Sequence, residues 1–237
     1  MGQLVAARSD IAAVQAERET LSVGVYQSVG VRLLPAALKD FVARRPDVRV
    51  RLHESNSDED LLELVEEGEL DLTFAVQPLG ENFQFIEVLH DPYVLLVPTD
   101  SRLATLSQEL IPSDLDGLGL IGFRECRSVT EAEARFRGAG FAASVTIRSD
   151  DNGTLQALVA AGVGAALLPR LVFDRGDGSV VAVDLGDRVP PRVLVLAWHP
   201  GRRLVKPIDE FAASVSRAVA ALSAGDASAA DRRPAEP

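Results

Sequence analysis

The sequence predicts a mixed α/β protein made of two lobes, with the second lobe inserted into the first. Strand-like apolar segments alternate with amphipathic helical segments over most of the chain, which is typical of a mainly parallel sheet covered by helices. Two long extended apolar segments, 85–98 and 192–200, lie near opposite ends of this alternation. A second strand–helix series lies between them, so we expect the two extended segments to form the hinge.

The N-terminal segment carries apolar residues at alternating steps of three and four. These residues are Leu4, Ala7, Ile11 and Val14. Such spacing is found along the seam of a coiled coil. An ordinary N-terminal helix explains so short a pattern equally well, and the sequence leaves both alternatives open.

The first lobe begins with a regular alternation of strands and helices. Its second helix has the clearest end signals, because Ser57 is suited to cap the N-terminus and Gly68 the C-terminus. The three acidic residues that follow Ser57 are favoured there by the helix dipole. Strand, helix, strand, helix and strand are predicted over 21–26, 31–43, 47–55, 57–68 and 70–76.

The second lobe is predicted to continue this alternation. Strand, helix, strand, helix, strand and strand are predicted over 119–123, 128–138, 143–149, 152–161, 164–169 and 179–185. A last helix over 207–222 carries apolar residues on one face. The remainder, 223–237, is small, polar and contains proline, and we expect it to be disordered.

The stretch LVAAGVGAALLP (158–169) contains a Gly-x-Gly motif of the kind found in phosphate-binding loops. Such a loop follows a strand and opens a helix, because the phosphate lies on the helix N-terminus. Here the order is reversed, since Gly162 follows a predicted helix and Gly164 precedes a predicted strand. We therefore interpret the motif as a helix-to-strand turn.

The composition is that of an ordinary globular protein, with 237 residues of which 47% are hydrophobic and 25% charged. The formal net charge of −11 argues against a DNA-binding surface, which is usually basic. No apolar run reaches the roughly 18 residues of a membrane helix, and the N-terminus has no export signal. The single cysteine, Cys126, excludes an internal disulfide and fits a reducing compartment. We expect a cytoplasmic protein with no membrane partner.

Four stretches together resemble the effector-binding domain of LysR-type transcriptional regulators. They are LSVGVYQSVGVRLLPAALKDFVARRPDVRVRLHES (21–55), DLLELVEEGELDLTFA (60–75), YVLLVPTDSRLA (93–104) and LVAAGVGAALLP. They occur in the order of that family, and the resemblance covers about residues 21–215. It implies a two-lobed, type 2 periplasmic-binding-protein-like fold that closes on a small effector in the cleft between the lobes.

The resemblance also implies a domain organisation and partners. Lobe I is expected at 21–97 plus 192–222, lobe II at 98–191, and a remnant of the family's linker helix at 1–20. Members of the family form homodimers or homotetramers. They contact DNA through a winged helix-turn-helix, which this sequence does not contain, so we expect this chain to reach DNA only through such a domain.

Candidate effector-binding residues follow from the predicted turns. In open α/β sheets ligands bind beyond the carboxyl ends of the strands, where helix N-termini converge. Turns of this kind are predicted at 26–29, 55–57, 123–128 and 151–153. With the resemblance, they give eight candidates: Gln27, Ser28, Val29, Ser57, Gly122, Phe123, Arg124 and Asn152.

Two kinds of chemistry are expected among these residues. The hydroxyls of Ser28 and Ser57 are suited either to bind a ligand carboxylate or to cap a helix, and we favour the cap for Ser57 and for Asn152. Gly122 lets the backbone approach a ligand, and Phe123 offers an apolar wall.

An arginine supplies the expected anion contact. The guanidinium of Arg124 is suited to clamp a carboxylate, with Arg127 as the less favoured alternative. The ordinary alternative for both is a solvated surface arginine. Together with the helix N-termini and what the resemblance implies, this arginine makes a small organic acid the expected effector.

Other function classes find little support in the sequence. The histidines, His53, His90 and His199, are scattered and lack the spacing of a metal site. No Gly-x-Ser-x-Gly elbow is present, and we expect no enzymatic activity, cofactor or metal. The sequence thus predicts the effector-sensing and oligomerisation domain of a LysR-type regulator. The alternative is a stand-alone solute-binding protein of the same fold.

Overall fold

A computed structural model describes residues 19–106, 110–124, 126–141, 144–174, 176–201 and 206–230 of the chain. Nearly all of the predicted linker helix, residues 1–18, lies outside the described part. So does the end of the predicted tail, residues 231–237.

Two five-stranded sheets form the centres of the two lobes. The first sheet consists of β1 (Thr20–Val25), β2 (Arg49–Glu54), β3 (Leu72–Val76), β4 (Gln84–Asp91) and β10 (Arg192–Trp198). The second consists of β5 (Tyr93–Pro98), β6 (Leu120–Phe123), β7 (Val145–Ser149), β8 (Ala165–Pro169) and β9 (Val180–Asp184).

The two sheets share one topology. Their strand orders are β2-β1-β3-β10-β4 and β7-β6-β8-β5-β9. In each, the first three strands are parallel, and the fourth runs antiparallel to both of its neighbours. Four strands of each sheet therefore run in one direction, but half of the strand pairings are antiparallel, so the sheets are mixed rather than mainly parallel.

Helices follow four of the parallel strands, and a last helix follows β10. They are α1 (Gln27–Arg32), α2 (Leu34–Arg44), α3 (Asp58–Glu67), α4 (Arg127–Gly138), α5 (Asn152–Ala160) and α6 (Lys206–Ala230). The predicted end signals of α3 are confirmed. The Ser57 hydroxyl accepts a hydrogen bond from the Asp60 N–H, and Gly68 ends the helix in the left-handed conformation at φ 90°.

The chain crosses from the first sheet to the second earlier than predicted. The extended segment 85–98 is two strands rather than one, because β4 ends at Asp91 and β5 begins at Tyr93. Pro92 lies between them and has no N–H with which to continue a ladder. Since β5 pairs with β8 and β9, the strand that we assigned to lobe I belongs to the second sheet.

Each lobe has its own hydrophobic core. In the first, the rings of Phe41 on α2 and Phe211 on α6 meet edge to face, with centroids 5.5 Å apart. In the second, Phe136 at the end of α4 stacks on Phe141, with centroids 4.6 Å apart. The apolar helical faces of the sequence therefore cover the two sheets separately.

The Gly-x-Gly motif forms the predicted helix-to-strand turn. Gly162 follows α5 with φ +74°, a conformation that favours glycine. A Cβ atom at Gly164 would lie only 2.5 Å from the carbonyl oxygen of Gly119. Both glycines are thus explained by backbone geometry.

The last helix is longer than predicted. It continues to Ala230, whereas we placed its end at 222 and a disordered tail from 223. The added residues include four alanines, and alanine has the highest intrinsic helix propensity. In the part of the chain that the structure describes, no helix has both the length and the apolar character needed to cross a membrane.

Candidate functional site

A cavity of about 340 Å³ lies between the two lobes. All four predicted strand-to-helix turns contribute to its wall, so the N-termini of α1, α3, α4 and α5 converge on it. Apolar side chains of both lobes complete the lining, among them Val76, Leu120, Phe123 and Leu167. The cavity is therefore mainly apolar in its wall and polar at its helix ends.

Seven of the eight predicted residues line this cavity. They are Gln27, Ser28, Ser57, Gly122, Phe123, Arg124 and Asn152. Val29 does not, because it is fully buried in the core of the first lobe. Successive residues of a helix point about 100° apart, so Ser28 and Val29 on α1 face different surroundings. Contact between an effector and these seven residues stays a prediction.

The capping predictions have different outcomes. Ser57 caps α3 as expected. The cap of α5 is Asp151, whose Oδ1 accepts a hydrogen bond of 2.6 Å from the N–H of Thr154, and the prediction for Asn152 is wrong. Asn152 is instead the first helical residue, and its own N–H points at the other lobe.

Gln27 joins the two lobes at the edge of the cavity. Its Oε1 accepts a hydrogen bond of 2.9 Å from the N–H of Asn152, and its Nε2 donates one of 2.9 Å to Asp151 Oδ2. The hydrogen bond from Gln27 is the main reason why the pKa of Asp151 is lowered from its ordinary value. Nearby, Asn56 Nδ2 donates to the carbonyl oxygen of Asp150 over 2.8 Å.

Ser28 belongs to a buried polar cluster at the hinge. Its hydroxyl accepts a hydrogen bond of 3.2 Å from Arg192 Nη2, and the same nitrogen lies 2.7 Å from Asp91 Oδ2. Burial opposes the charge of Arg192, but Asp91, with Tyr93 and Tyr26, outweighs it, so the pKa of Arg192 is raised. Asp91 also accepts a hydrogen bond from the N–H of Leu171 over 3.1 Å.

The two arginines after β6 lie in different surroundings. Arg124 is 79% exposed and forms an ion pair with Asp150. Arg127 is less exposed, and its Nη2 donates to Asp58 Oδ2 over 2.5 Å and to the carbonyl oxygen of Val76 over 2.9 Å. Because Asp58 is on α3 and only 2% exposed, this ion pair is a buried link between the lobes.

Two buried side-chain atoms of the described residues have no hydrogen-bond partner: the hydroxyl of Tyr26 and Nη1 of Arg127. Tyr26 is 8% exposed and lines the cavity. Burial, and to a smaller extent the charge of Asp58, raises the pKa of Tyr26 well above its ordinary value. The phenol therefore keeps its proton at neutral pH.

Sequence reasoning missed Tyr26, Asp58, Asp91 and Arg192. Arg192 and Asp91 are 101 residues apart in the chain, and Arg127 and Asp58 are 69 apart, so no local pattern brings them together. Tyr26 was included in a predicted turn, but nothing in the sequence indicates that its hydroxyl lacks a partner. Among the described residues, no group of three or more His, Cys, Asp or Glu side chains could hold a metal ion.

These features define a class of protein. Two α/β lobes with a cavity between them, bounded by helix N-termini from both, form a ligand-binding fold of the type 2 periplasmic-binding-protein-like kind. The family described as LysR substrate binding domain matches residues 15–220. The chain belongs to this family.

Curated relatives carry the names of transcriptional regulators. The Hca operon transcriptional activator HcaR of Escherichia coli is 27% identical over 216 residues, which cover 89% of this chain and 71% of HcaR. The probable HTH-type transcriptional regulator LrrA of Synechococcus elongatus is 28% identical over 151 residues, which cover 64% of this chain and 50% of LrrA. The chain thus spans only half the length of LrrA.

Solved structures share the fold. The C-terminal domain of a probable LysR family transcriptional regulator from Rhodococcus sp. RHA1 has a TM-score of 0.73 and 25% identity, with 84% of this chain and 98% of that one covered. The effector binding domain of QuiR in complex with shikimate has a TM-score of 0.73 and 13% identity, with coverages of 85% and 97%. The second comparison supports the fold alone.

Proposed function

We propose that this chain is the effector-sensing domain of a LysR-type transcriptional regulator, and that its effector is a small organic molecule bound in the cavity between the lobes. The main support for the proposal is that residues from four separate predicted turns line one cavity. Membership of the family supports it independently. The proposed effector site consists of Gln27, Ser28, Ser57, Gly122, Phe123, Arg124 and Asn152.

The proposed signal is a change in the relative position of the lobes. A ligand in the cavity meets side chains of both lobes, close to the hydrogen bonds that Gln27 and Asn56 make across the cleft. A ligand that binds one arrangement of the lobes more tightly than another therefore shifts the equilibrium toward that arrangement. In a homodimer or homotetramer this change would reach DNA through a winged helix-turn-helix. No reaction or cofactor is part of the proposal, and the expected compartment is the cytoplasm.

The expectation of an organic acid rested on Arg124, on the helix N-termini and on the resemblance to the family. In the structure Arg124 already shares its charge with Asp150 and is largely exposed. A ligand carboxylate would have to displace Asp150 to reach it. Arg124 alone therefore gives no reason for the ligand to be an anion, and the proposal here is for a small organic molecule of either kind.

A thermal-shift screen tests the proposal. The library contains small aromatic and aliphatic acids, their amides and esters, amino acids and sugars. A ligand at about a hundred times its dissociation constant stabilises the folded chain by about 2.7 kcal/mol, which raises the melting temperature by several degrees. Arg124→Ala is measured beside the parent chain, and loss of binding in that variant identifies a ligand held by Arg124. A library without a single binding compound would contradict the proposal.

A further inference from the structure

The four helix N-termini at the cavity differ in what their N–H groups bind. The first N–H groups of a helix have no acceptor within the helix, so a side chain, water or a ligand supplies one. At α3 the acceptor is the Ser57 hydroxyl, 3.2 Å from the N–H of Asp60, and three acidic residues in the first turn add negative charge. The N-terminus of α3 is therefore satisfied by its own lobe.

The N-terminus of α5 is satisfied from both lobes. Asp151 Oδ1 accepts a hydrogen bond from the N–H of Thr154, and Gln27 Oε1 accepts one from the N–H of Asn152. The carboxylate of Asp151 also places a negative charge at this end of the helix. The remaining helix of the first lobe, α1, is only six residues long, and so short a helix has a small dipole. Neither N-terminus favours a further anion.

The N-terminus of α4 is different. The helix is twelve residues long, its first turn contains no acidic residue, and the N-cap residue Cys126 makes no capping hydrogen bond with its side chain. The N–H of Thr130 donates to the carbonyl oxygen of Cys126 over 2.9 Å. The N–H groups that precede it in the helix, those of Ser128 and Val129, have no acceptor among the described residues. Both residues line the cavity.

A second donor without a partner lines the same cavity from the first lobe. The hydroxyl of Tyr26 makes no hydrogen bond within the described part of the chain, and the residue is 8% exposed. A buried hydroxyl without a partner has lost its hydrogen bonds to water, which is unfavourable, and such groups often mark a functional site. Donors without acceptors therefore lie on both walls of the cavity.

The charges around the cavity favour an anion at α4 and disfavour one at α3. Three of the four carboxylates that line the cavity have an arginine partner: Asp58 with Arg127, Glu133 with Arg148, and Asp150 with Arg124. The fourth, Asp60, has no cation among the described residues and lies in the first turn of α3. A ligand anion is therefore repelled at α3, whereas the partial positive charge of the α4 N-terminus attracts it.

We propose that the effector is an organic acid whose carboxylate accepts hydrogen bonds from the N–H groups of Ser128 and Val129 at the N-terminus of α4. Tyr26 donates a further hydrogen bond to the effector from the first lobe, and the apolar wall of the cavity holds the rest of the molecule. This inference rests on the proposed function, since it takes the cavity to be the effector site. It places the carboxylate at α4 rather than at Arg124.

The class of ligand gives the first test. The probes are matched sets at pH 7, each with a carboxylate, a primary amide and a methyl ester on one skeleton, for example benzoate, benzamide and methyl benzoate, with naphthalene and cyclohexane equivalents. Within each set that binds, the carboxylate should bind about tenfold more tightly than the neutral members, as measured by isothermal titration calorimetry. Neutral members that bind as tightly as the carboxylate would overturn the inference and leave the proposed function standing. If no set binds, both fall.

Cys126→Asp gives the second test, because aspartate is a preferred N-cap residue. Its carboxylate would satisfy the N–H groups of α4 from within the chain, so the melting temperature without added ligand should rise by about 2–4 °C. It would also exclude the carboxylate of the effector. The acids should therefore bind about tenfold more weakly, and their amides and esters should lose less affinity.

Cys126→Ala is the matched comparison, because it removes the thiol without adding a cap. The acids should lose less than about threefold in affinity for this variant. Equal losses in Cys126→Ala and Cys126→Asp, or acids that bind Cys126→Asp as tightly as the parent chain, would overturn the inference.

Tyr26→Phe tests the second donor, because it removes only the hydroxyl without a partner. The melting temperature without added ligand should stay the same or rise, whereas the acids should bind about tenfold more weakly. Ser214→Ala is the control, since its buried hydroxyl donates to Asp40 over 2.7 Å outside the cavity. It should lower the melting temperature and leave the affinity unchanged. A Tyr26→Phe variant that loses stability and keeps its affinity would overturn the role of this hydroxyl in the inference.

Discussion

At the scale of single residues, the hinge depends on one buried ion pair. Arg192 begins β10 and Asp91 ends β4, the strands next to the two crossings between the lobes. Their side chains are 10% and 2% exposed, and the hydrogen bonds of Asp91 also reach Leu171 in the second lobe. A buried pair is costly to break, because the remaining charge stays in the interior without a partner.

Asp91→Asn tests this pair. It leaves Arg192 buried without its counter-ion and should lower the free energy of unfolding by about 3–5 kcal/mol, as measured by urea denaturation. The control is Asp184→Asn, which removes an exposed partner of Arg170 and should change the free energy of unfolding by less than about 1 kcal/mol. Equal effects in the two variants would contradict the role given to Asp91.

Asp40 gives a pH dependence. Its carboxylate accepts hydrogen bonds from Arg217 and Ser214 on α6 and from Arg44, and the bond from Arg217 is the main reason why the pKa of Asp40 is held well below its ordinary value. A lowered pKa in the folded state means that the stabilisation is present above the ordinary pKa of about 4 and is lost as the pH falls below it.

The comparison of the parent chain with Asp40→Asn measures this dependence. At pH 7 the parent should have the higher melting temperature, and the difference should shrink steadily from about pH 4 downward. A difference that stays constant down to pH 2.5 would show that the charge of Asp40 contributes nothing to it.

At the scale of elements, the sequence predicts features that depend on neighbouring residues, such as helix ends. It does not predict features that depend on packing between distant segments. The ends of α3 were predictable because Ser57 and Gly68 act on their own helix. The division of 85–98 between two sheets was not, since an apolar strand pattern does not say which sheet the strand joins. The cap of α5 was ambiguous for a related reason, because Asp151 and Asn152 have equal capping ability in sequence.

The turn into β8 gives a prediction at this scale. Gly164→Ala would place a Cβ 2.5 Å from the carbonyl oxygen of Gly119, which accepts the hydrogen bond that begins the pairing of β6 with β8. We expect a loss of about 1–3 kcal/mol in the free energy of unfolding, as for other overpacked sites. Gly138→Ala, near the end of α4 and with open space around it, should be neutral or stabilising by about 0.4–1 kcal/mol. A neutral Gly164→Ala would contradict this close approach.

At the scale of the whole molecule, the turns that form the candidate site could be predicted from the sequence, whereas the contacts between the lobes could not. The turns at the carboxyl ends of the parallel strands were expected to converge, and they do, because the topology of an open α/β sheet places them at one edge. The ion pair of Arg127 with Asp58 was not expected. It arises from residues brought together only when the two lobes face each other.

The surroundings of Arg124 and Arg127 could not be predicted from the sequence, because they depend on how the two lobes face each other. Both follow β6 and have equal chemistry, and only the position of the first lobe decides which one is buried. Asp58 and the carbonyl group of Val76 come from that lobe and hold Arg127 in the cleft. Charge pairing across the lobes, rather than residue type, therefore decides which arginine is the less exposed.

The central claim is that a small molecule binds between the lobes, and Cys126 offers the most direct measurement. It is the only cysteine of the chain, is partly buried and lines the cavity. The rate of its alkylation by N-ethylmaleimide is measured with and without a compound that raises the melting temperature. At about a hundred times the dissociation constant, bound ligand should slow the reaction about a hundredfold, with half-protection near the dissociation constant. A compound that stabilises the chain while Cys126 reacts at its full rate would bind elsewhere, and would contradict the account.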